Sequence, residues 1–418
     1  MLSTHISHQI YAKLSVDATF SQKKIIEKLS SWLADEDYSR IFLLNGYAGT
    51  GKTTLISATV SALKELGIKT ILLAPTGRAA KVLSHYSNAP ALTIHKRIYR
   101  ERSTTGYESK FSLDFNKERG AVFIVDEASM LSSGGGEGNI FGSGDLLNDL
   151  VEYVRSGKEC RLMLVGDDAQ LPPVGSDLSP ALDPISLTHY GDVEYATMDE
   201  VVRQSSDSGI LFNATMIRCM LENRIHEIPR LRCSFPDFKS INGGELLETL
   251  QECYDRYGRD ETIVITRSNK RANRYNEGIR RYNLSAEEEI ESGDMLMIVK
   301  NNYHYAEHDK ESPMSFVANG DVVRLKRIRR FEEFYGFRFI DALIEFPDYD
   351  NYGMDVKIML DTLASESPSL TQEQSRALFD EVEKDYLDIK SKAKRYKEIR
   401  ENKFFNAMQV KNEHAKKI

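Results

Sequence analysis

Gly46-Tyr47-Ala48-Gly49-Thr50-Gly51-Lys52-Thr53 decides the fold of this chain. The stretch meets G-x-x-x-x-G-K-[ST] at every fixed position. It follows the apolar run Ile41–Leu44 and opens a helix-like segment from Leu55 to Leu66. Strand, glycine-rich turn and helix in that order make a phosphate-binding loop. Glycines 46, 49 and 51 let the backbone turn its N–H groups inward. Gly46, Ala48, Gly49, Thr50 and Gly51, with Thr53 and Thr54 at the helix start, would then wrap the phosphates. Lys52 would reach the β- and γ-phosphate oxygens, and the Thr53 hydroxyl would join a Mg²⁺ shell. The motif predicts a nucleoside triphosphate ligand.

Around this loop, the chain up to about residue 210 alternates apolar strands with amphipathic helices, which predicts a parallel α/β sheet. Strands are expected at Ile41–Leu44, Thr70–Ala74, Val122–Val125 and Arg161–Val165. Each ends where a motif begins, and ligands of open α/β sheets sit at the carboxyl ends of strands. Val122–Val125 runs into Asp126 and Glu127, a pair that in a phosphate-loop enzyme supplies a Mg²⁺ ligand and a base that polarises the attacking water. The third element runs from Leu164 through Gly166-Asp167-Asp168-Ala169-Gln170-Leu171-Pro172-Pro173 to Gly175. The Gln170 amide, held by the stiff Leu-Pro-Pro segment, is placed to sense a γ-phosphate.

Two insertions interrupt the alternation. Residues 97–119 are polar with interspersed aromatics and predict a β-hairpin excursion. Ser132–Gly144 is Gly/Ser-rich and predicts a surface loop. The first domain is expected over residues 1–236 and a second over 237–418. In the second, Glu261–Thr266 predicts a strand and Asn269–Tyr282 a helix. Alternating apolar runs over 294–365 predict a small inserted barrel, and 371–401 a long charged helix.

Composition narrows the class without deciding it. Of 418 residues, 41% are hydrophobic and 28% charged, as in an ordinary globular protein, and no run is long and apolar enough to span a bilayer. The N-terminal stretch has no signal-peptide apolar block, so the expected location is cytoplasmic. A net charge of −8 argues mildly against a nucleic-acid partner, although a basic groove can exist on an acidic protein. Cys160, Cys219, Cys233 and Cys253 show no C-x-x-C pairing and are expected to be buried free thiols.

Taken together, these motifs resemble the superfamily 1 helicases of the RecD/Dda-like branch, from about Phe20 to Met408. Phe20-Ser21-Gln22 is similar to the family's adenine-reading motif. Pro75-Thr76-Gly77-Arg78 and Thr93-Ile94-His95 resemble the two motifs that grip single-stranded DNA. Val201-Val202-Arg203-Gln204 resembles the motif whose arginine touches the γ-phosphate. Ile265–Asn269 and Asn319-Gly320-Asp321 resemble parts of the second motor domain and its SH3-like barrel. The hairpin insertion falls where relatives carry the pin that splits the duplex. The resemblance implies two RecA-like motor domains, ATP and Mg²⁺ as cofactors, and single-stranded DNA and duplex junctions as partners. It also implies 5′-to-3′ translocation with unwinding. Lys52, Asp126, Glu127, Gln170 and Arg203 would be catalytic, Gln22 would read the base, and Pro75, Thr76, Gly77, Arg78, Thr93, His95 and Asn269 would contact DNA.

On the residues alone these secondary motifs say less. Pro75-Thr76-Gly77 offers phosphate donors but is otherwise a turn, His95 by itself is more often structural, and Arg203 by itself is a surface arginine. The chain also departs from the family pattern. Residues 404–411 resemble the lead-in to a DNA-coupling motif, but neither that motif nor the next, with its second γ-phosphate arginine, is found before Ile418. The expectation is a second motor domain shortened at its end. That leaves a non-unwinding, ATP-dependent DNA-binding or regulatory protein as the alternative function. A phosphate-loop kinase is the other alternative, opposed by the Gly166–Gly175 segment and by the second-domain matches.

Overall fold

The computed structural model describes residues 2–101, 111–134, 142–173, 176, 178–200, 208–223, 225–259, 261–302, 304–309, 312–314 and 316–417. The chain divides into two compact units between Ser240 and Ile241.

The first unit contains strands β1 (Ile41–Gly46), β2 (Thr70–Ala74), β3 (Ala91–Thr93), β4 (Tyr99–Glu101), β5 (Phe111–Leu113), β6 (Val122–Val125), β7 (Arg161–Gly166) and β8 (Val193–Met198). Its helices are α1 (Leu2–Lys13), α2 (Phe20–Ala34), α3 (Lys52–Glu65), α4 (Gly77–Ser87), α5 (Ile94–Ile98), α6 (Leu146–Ser156), α7 (Pro184–Leu187) and α8 (Gly209–Glu222). Six strands form one parallel sheet in the order β3-β2-β6-β7-β1-β8.

Strand alternation explains why helices cover both faces. Phe42 and Leu44 of β1 point into a core with Ile26 and Leu29 of α2 and Leu55 and Leu63 of α3. Ile41 and Leu43 point the other way, into a core with Ile94 of α5 and Leu147 and Leu150 of α6. α2 begins at a capping box: the Thr19 hydroxyl accepts from Gln22 N–H, and the Gln22 side chain accepts from Thr19 N–H. β4 and β5 pair antiparallel as the hairpin stem expected within 97–119, and its tip lies outside the described residues. So do residues 135–141 of the Gly/Ser-rich loop.

The second unit contains β9 (Val264–Thr266), β10 (Met295–Ile298), β11 (Val322–Phe334), β12 (Phe337–Phe346), β13 (Tyr352–Met359), β14 (Met408–Asn412) and β15 (Ala415–Lys417). Its helices are α9 (Leu246–Tyr257), α10 (Asn269–Gly278), α11 (His304–His308), α12 (Gln372–Lys384) and α13 (Lys392–Glu401). β10 to β14 close a barrel. The barrel therefore does not end within 294–365. β14 is its fifth strand, because Leu296 to Ile298 pair antiparallel with Val410 to Asn412, and Ile358 and Met359 pair parallel with Met408 and Gln409.

The charged segment 371–401 is two helices rather than one. The Asp385 N–H closes α12 on the Val382 and Glu383 carbonyls, and the Ser391 hydroxyl caps the start of α13. The break lets Leu378, Phe379 and Val382 share one core with Ile399, Phe404 and Phe339 of the barrel wall. Among the described residues, the unit's open parallel sheet amounts to β9 and β15. All four cysteines are free, but only Cys160 is buried. Cys219 and Cys233 are exposed and Cys253 half-buried, since none of the three reaches a core cluster.

One ion pair in this unit carries a measurable load. The Arg280 guanidinium donates twice to the Asp294 carboxylate, at 3.0 and 2.9 Å, and both side chains are under 10% exposed. Arg280→Met is expected to destabilise the unit by about 3–5 kcal/mol, because it leaves a buried carboxylate uncompensated. Pairing it with Asp294→Leu should restore most of the loss. Urea unfolding of both single variants and the double variant checks this, and a double-variant loss equal to the sum of the single losses would show that the pair carries no coupling.

Candidate nucleotide and nucleic-acid site

The carboxyl ends of β1, β6 and β7 lie side by side, because Leu44 pairs with Val165, Asn45 with Gly166 and Val125 with Leu164. Whatever follows each strand is thereby delivered to one place at the sheet edge, where ligands of such sheets bind. After β1 comes the glycine-rich loop. Gly51 has a φ of +93°, and a side chain there would bring its Cβ to 2.7 Å from Gln22 Nε2. A Cβ on Gly46 would meet Met198 Cβ at 2.8 Å. Both positions require glycine on steric grounds.

Lys52 is the first residue of α3. Its ammonium donates to the Gly46 and Tyr47 carbonyls, the latter at 3.1 Å, and lies 3.9 Å from the Asp167 carboxylate. Burial pushes the Lys52 pKa down, while Asp167, Glu127, Asp126 and Asp168 pull it up. The two motif carboxylates are displaced the other way. Burial raises Asp126, and burial together with the neighbouring Asp126 charge raises Glu127. Glu127 also has a left-handed φ of +55°, and its N–H donates to Asp126 Oδ1 at 2.9 Å. Such a conformation costs a non-glycine residue of order 1 kcal/mol or more and concentrates at functional sites.

The site is therefore one ammonium facing several half-desolvated carboxylates. That arrangement seeks a cation. Asp126 and the Thr53 hydroxyl in the first turn of α3 offer hard oxygen donors of the kind Mg²⁺ takes, so the residues present fit that ion.

Asp167 itself was not among the expected site residues. Its position depends on β7 lying next to β1, a non-local pairing, although a carboxylate ending a buried strand was a visible signal. Its Oδ1 accepts from Ala169 N–H, and the following turn is tied to β1 because Asp168 N–H donates to the buried Asn45 amide oxygen at 3.1 Å. Tyr47 was also missed. Its hydroxyl donates to Glu222 of α8 at 2.7 Å, and Arg218 of the same helix sits 4.6 Å above its ring.

Gln22, to which the resemblance assigns base reading, lies beside the phosphate loop. It is buried. Its amide oxygen accepts from Thr19 N–H at 3.0 Å and its amide nitrogen donates to the Thr50 carbonyl at 3.4 Å, so here it braces the phosphate loop against α2. Gln170 is exposed in the turn after β7, with its N–H donated to the Asp167 carbonyl. Arg203 and its neighbours lie outside the described residues.

The two segments that resemble strand-gripping motifs do come together. Pro75, Thr76 and His95 line one recess of about 260 Å³ with Tyr99, Met130 and Leu146. Thr76 and Thr93 are the N-caps of α4 and α5, their hydroxyls accepting from Ala79 and Lys96 N–H at 3.2 Å. Burial lowers the His95 pKa, which keeps the ring neutral and fit to pack, and it lies 5.6 Å from the Tyr99 ring. Gly77 is buried and Arg78 exposed on α4. Asn269, in the other unit, donates its amide to the Glu366 carbonyl at 2.9 Å, a bond internal to that unit.

Residues 21–218 match a family model described as an AAA domain. The ATP-dependent RecD2 DNA helicase of Deinococcus radiodurans is 31% identical over 160 residues, covering 38% of this chain and 20% of that protein. The ATP-dependent DNA helicase dda of Enterobacteria phage T4 is 33% identical over 182 residues, covering 42% of this chain and 37% of that protein. The crystal structure of Pif1 helicase from Candida albicans aligns over 82% of this chain and 79% of that one, at 15% identity and a TM-score of 0.39. The matched region thus spans well under half the length of either curated relative.

Proposed function

Because this chain belongs to the RecD/Dda-like branch of the superfamily 1 helicases, we propose that it is an ATP-driven translocase on single-stranded DNA, moving 5′ to 3′ and parting duplexes at junctions. The observation that carries this reading is the convergence of Lys52, Asp126, Glu127 and Asp167 beneath the glycine-rich phosphate loop. Lys52 would exchange its loop carbonyl partners for β- and γ-phosphate oxygens. Thr53 and Asp126 would hold Mg²⁺, which neutralises charge on the phosphates when bound. Glu127, its pKa raised by burial, is suited to take a proton from the attacking water. Gln170 and Arg203 would report γ-phosphate loss to the second unit, which the resemblance makes the second motor domain, with Asn269 on its strand-gripping face.

DNA enters the proposal through the recess of Pro75, Thr76, His95 and Tyr99, where hydroxyls and ring faces suit a phosphate and a stacked base. His95→Ala is expected to weaken binding of a labelled single-stranded oligonucleotide about tenfold, since one stacked base is worth ~1–3 kcal/mol. DNA-free ATP turnover should stay unchanged. Fluorescence anisotropy measures the affinity, and an unaltered value would move the strand path elsewhere. The function as a whole is tested by steady-state ATP hydrolysis with and without single-stranded DNA. Stimulation is expected, and turnover indifferent to DNA would sink the coupling.

A further inference from the structure

Two histidines one helical turn apart on α11 meet a carboxylate from the end of α13. The i, i+4 spacing of His304 and His308 places both rings on one helix face, with centroids 4.4 Å apart. Glu401, the last residue of α13, sets its Oε2 3.2 Å from His308 Nε2 and 3.9 Å from His304 Nδ1. The three donor atoms all lie within 4.8 Å of one another. A separate observation fixes how one of them points. His308 Nδ1 lies 2.6 Å from the His304 backbone carbonyl. A carbonyl only accepts, so Nδ1 carries a proton. In the neutral ring, Nε2 then presents its lone pair on the Glu401 side. That is the orientation an outer-shell carbonyl imposes on metal-binding histidines.

We propose that His304, His308 and Glu401 form a transition-metal site of the Zn²⁺ class. The site is independent of the nucleotide reading. Two imidazole nitrogens and one carboxylate oxygen suit Zn²⁺, whereas Mg²⁺ and Ca²⁺ take oxygen ligands. Tetrahedral bonds of about 2.0–2.1 Å put donors roughly 3.3 Å apart, so His308 and Glu401 already stand at that spacing and the His304 ring would have to move inward. A fourth position is left for water. The His308 and Glu401 side chains are 56% and 49% exposed, which gives the ion a way in. Bound metal would tie α11 to α13. Between the histidines, the Tyr305 hydroxyl accepts from Lys357 N–H of β13 at 2.9 Å, so the same tie would extend to the barrel wall.

The test titrates ZnCl₂ into the full chain, freed of any purification tag and treated with EDTA, in the absence of nucleotide. Calorimetry should show binding with a dissociation constant in the micromolar range or tighter, and the melting temperature should rise with the metal. Co²⁺ in place of Zn²⁺ should give the visible absorption of a tetrahedral ion. His308→Ala, which removes an exposed ring and spares the fold, should weaken Zn²⁺ at least tenfold, as should Glu401→Gln. His85→Ala, at an exposed histidine elsewhere, should leave the affinity unchanged. Absence of Zn²⁺ binding by the unaltered chain would reduce the cluster to a His–Glu ion pair and overturn the proposal. Undiminished affinity in His308→Ala would overturn it equally.

Discussion

Lys52→Ala is expected to lower ATP turnover by about 10²–10³-fold or more while the protein stays folded. Removing one preorganised charge from a transition state of this kind costs that much. The fold should survive because the Lys52 side chain lies over the loop carbonyls and not in either face core, so its loss opens no cavity. The loss should appear in binding of a fluorescent ATP analogue as well as in turnover, since the ammonium would meet ground-state phosphates too. Circular dichroism and a coupled ATPase assay separate the two effects. Near-normal hydrolysis by a well-folded variant would remove the phosphate-loop assignment.

Glu127→Gln and Asp126→Asn should split binding from chemistry. The first keeps shape but cannot accept a proton from water, so hydrolysis should fall about 10²–10⁴-fold with Mg²⁺–ATP affinity retained. The second removes charge beside the proposed metal, so the Mg²⁺ dependence of binding should weaken instead. Exchange of these two phenotypes would exchange the roles. Asp126→Asn carries a second, opposite signature. Burial raises the Asp126 and Glu127 pKa values, so the folded chain holds these protons more tightly than the unfolded chain. The stability they contribute is present at acid pH, below their unfolded values near 4, and is lost as pH rises through the raised ones. Asp126→Asn removes that loss. It should therefore raise the nucleotide-free melting temperature at neutral pH by about 2–4 °C for each kcal/mol relieved. A fall in melting temperature would mean that the carboxylate is a structural anchor and not a waiting ligand.

The nucleotide site was legible because its parts are local. A phosphate loop needs glycines at fixed offsets, and Asp126 and Glu127 end a fully buried strand that announces itself as an apolar run. What escaped was set by neighbours distant in sequence. Asp167 faces Lys52 only because β7 lies beside β1, and Tyr47 is held by Glu222 only because α8 returns to the loop. Gln22 illustrates a different case. Its place in the capping box is readable from Thr19 three residues before it, yet the bond to Thr50 turns that cap into a brace for the loop.

The fold shows the same division. β1, β2, β6 and β7 are apolar runs buried on both faces. The edge strand β8 (VEYATM) has a mixed, half-exposed pattern that carries no such signal. Helical spacing over 371–401 continues through a turn, because each half faces the same core, so periodicity alone does not reveal the break at Asp385.

The strand that closes the barrel also governs how the chain leaves the ribosome. β10 to β13 are complete by Met359, but the barrel cannot close until β14 has been made, after both α12 and α13. During that interval the nascent sheet presents two unpaired borders, β10 and β13, to the crowded surroundings of the exit tunnel. Such borders are the surfaces through which partly made chains associate with one another. Slowing translation once β13 has left the tunnel and before β14 follows it should lengthen this exposure and raise the fraction of insoluble product.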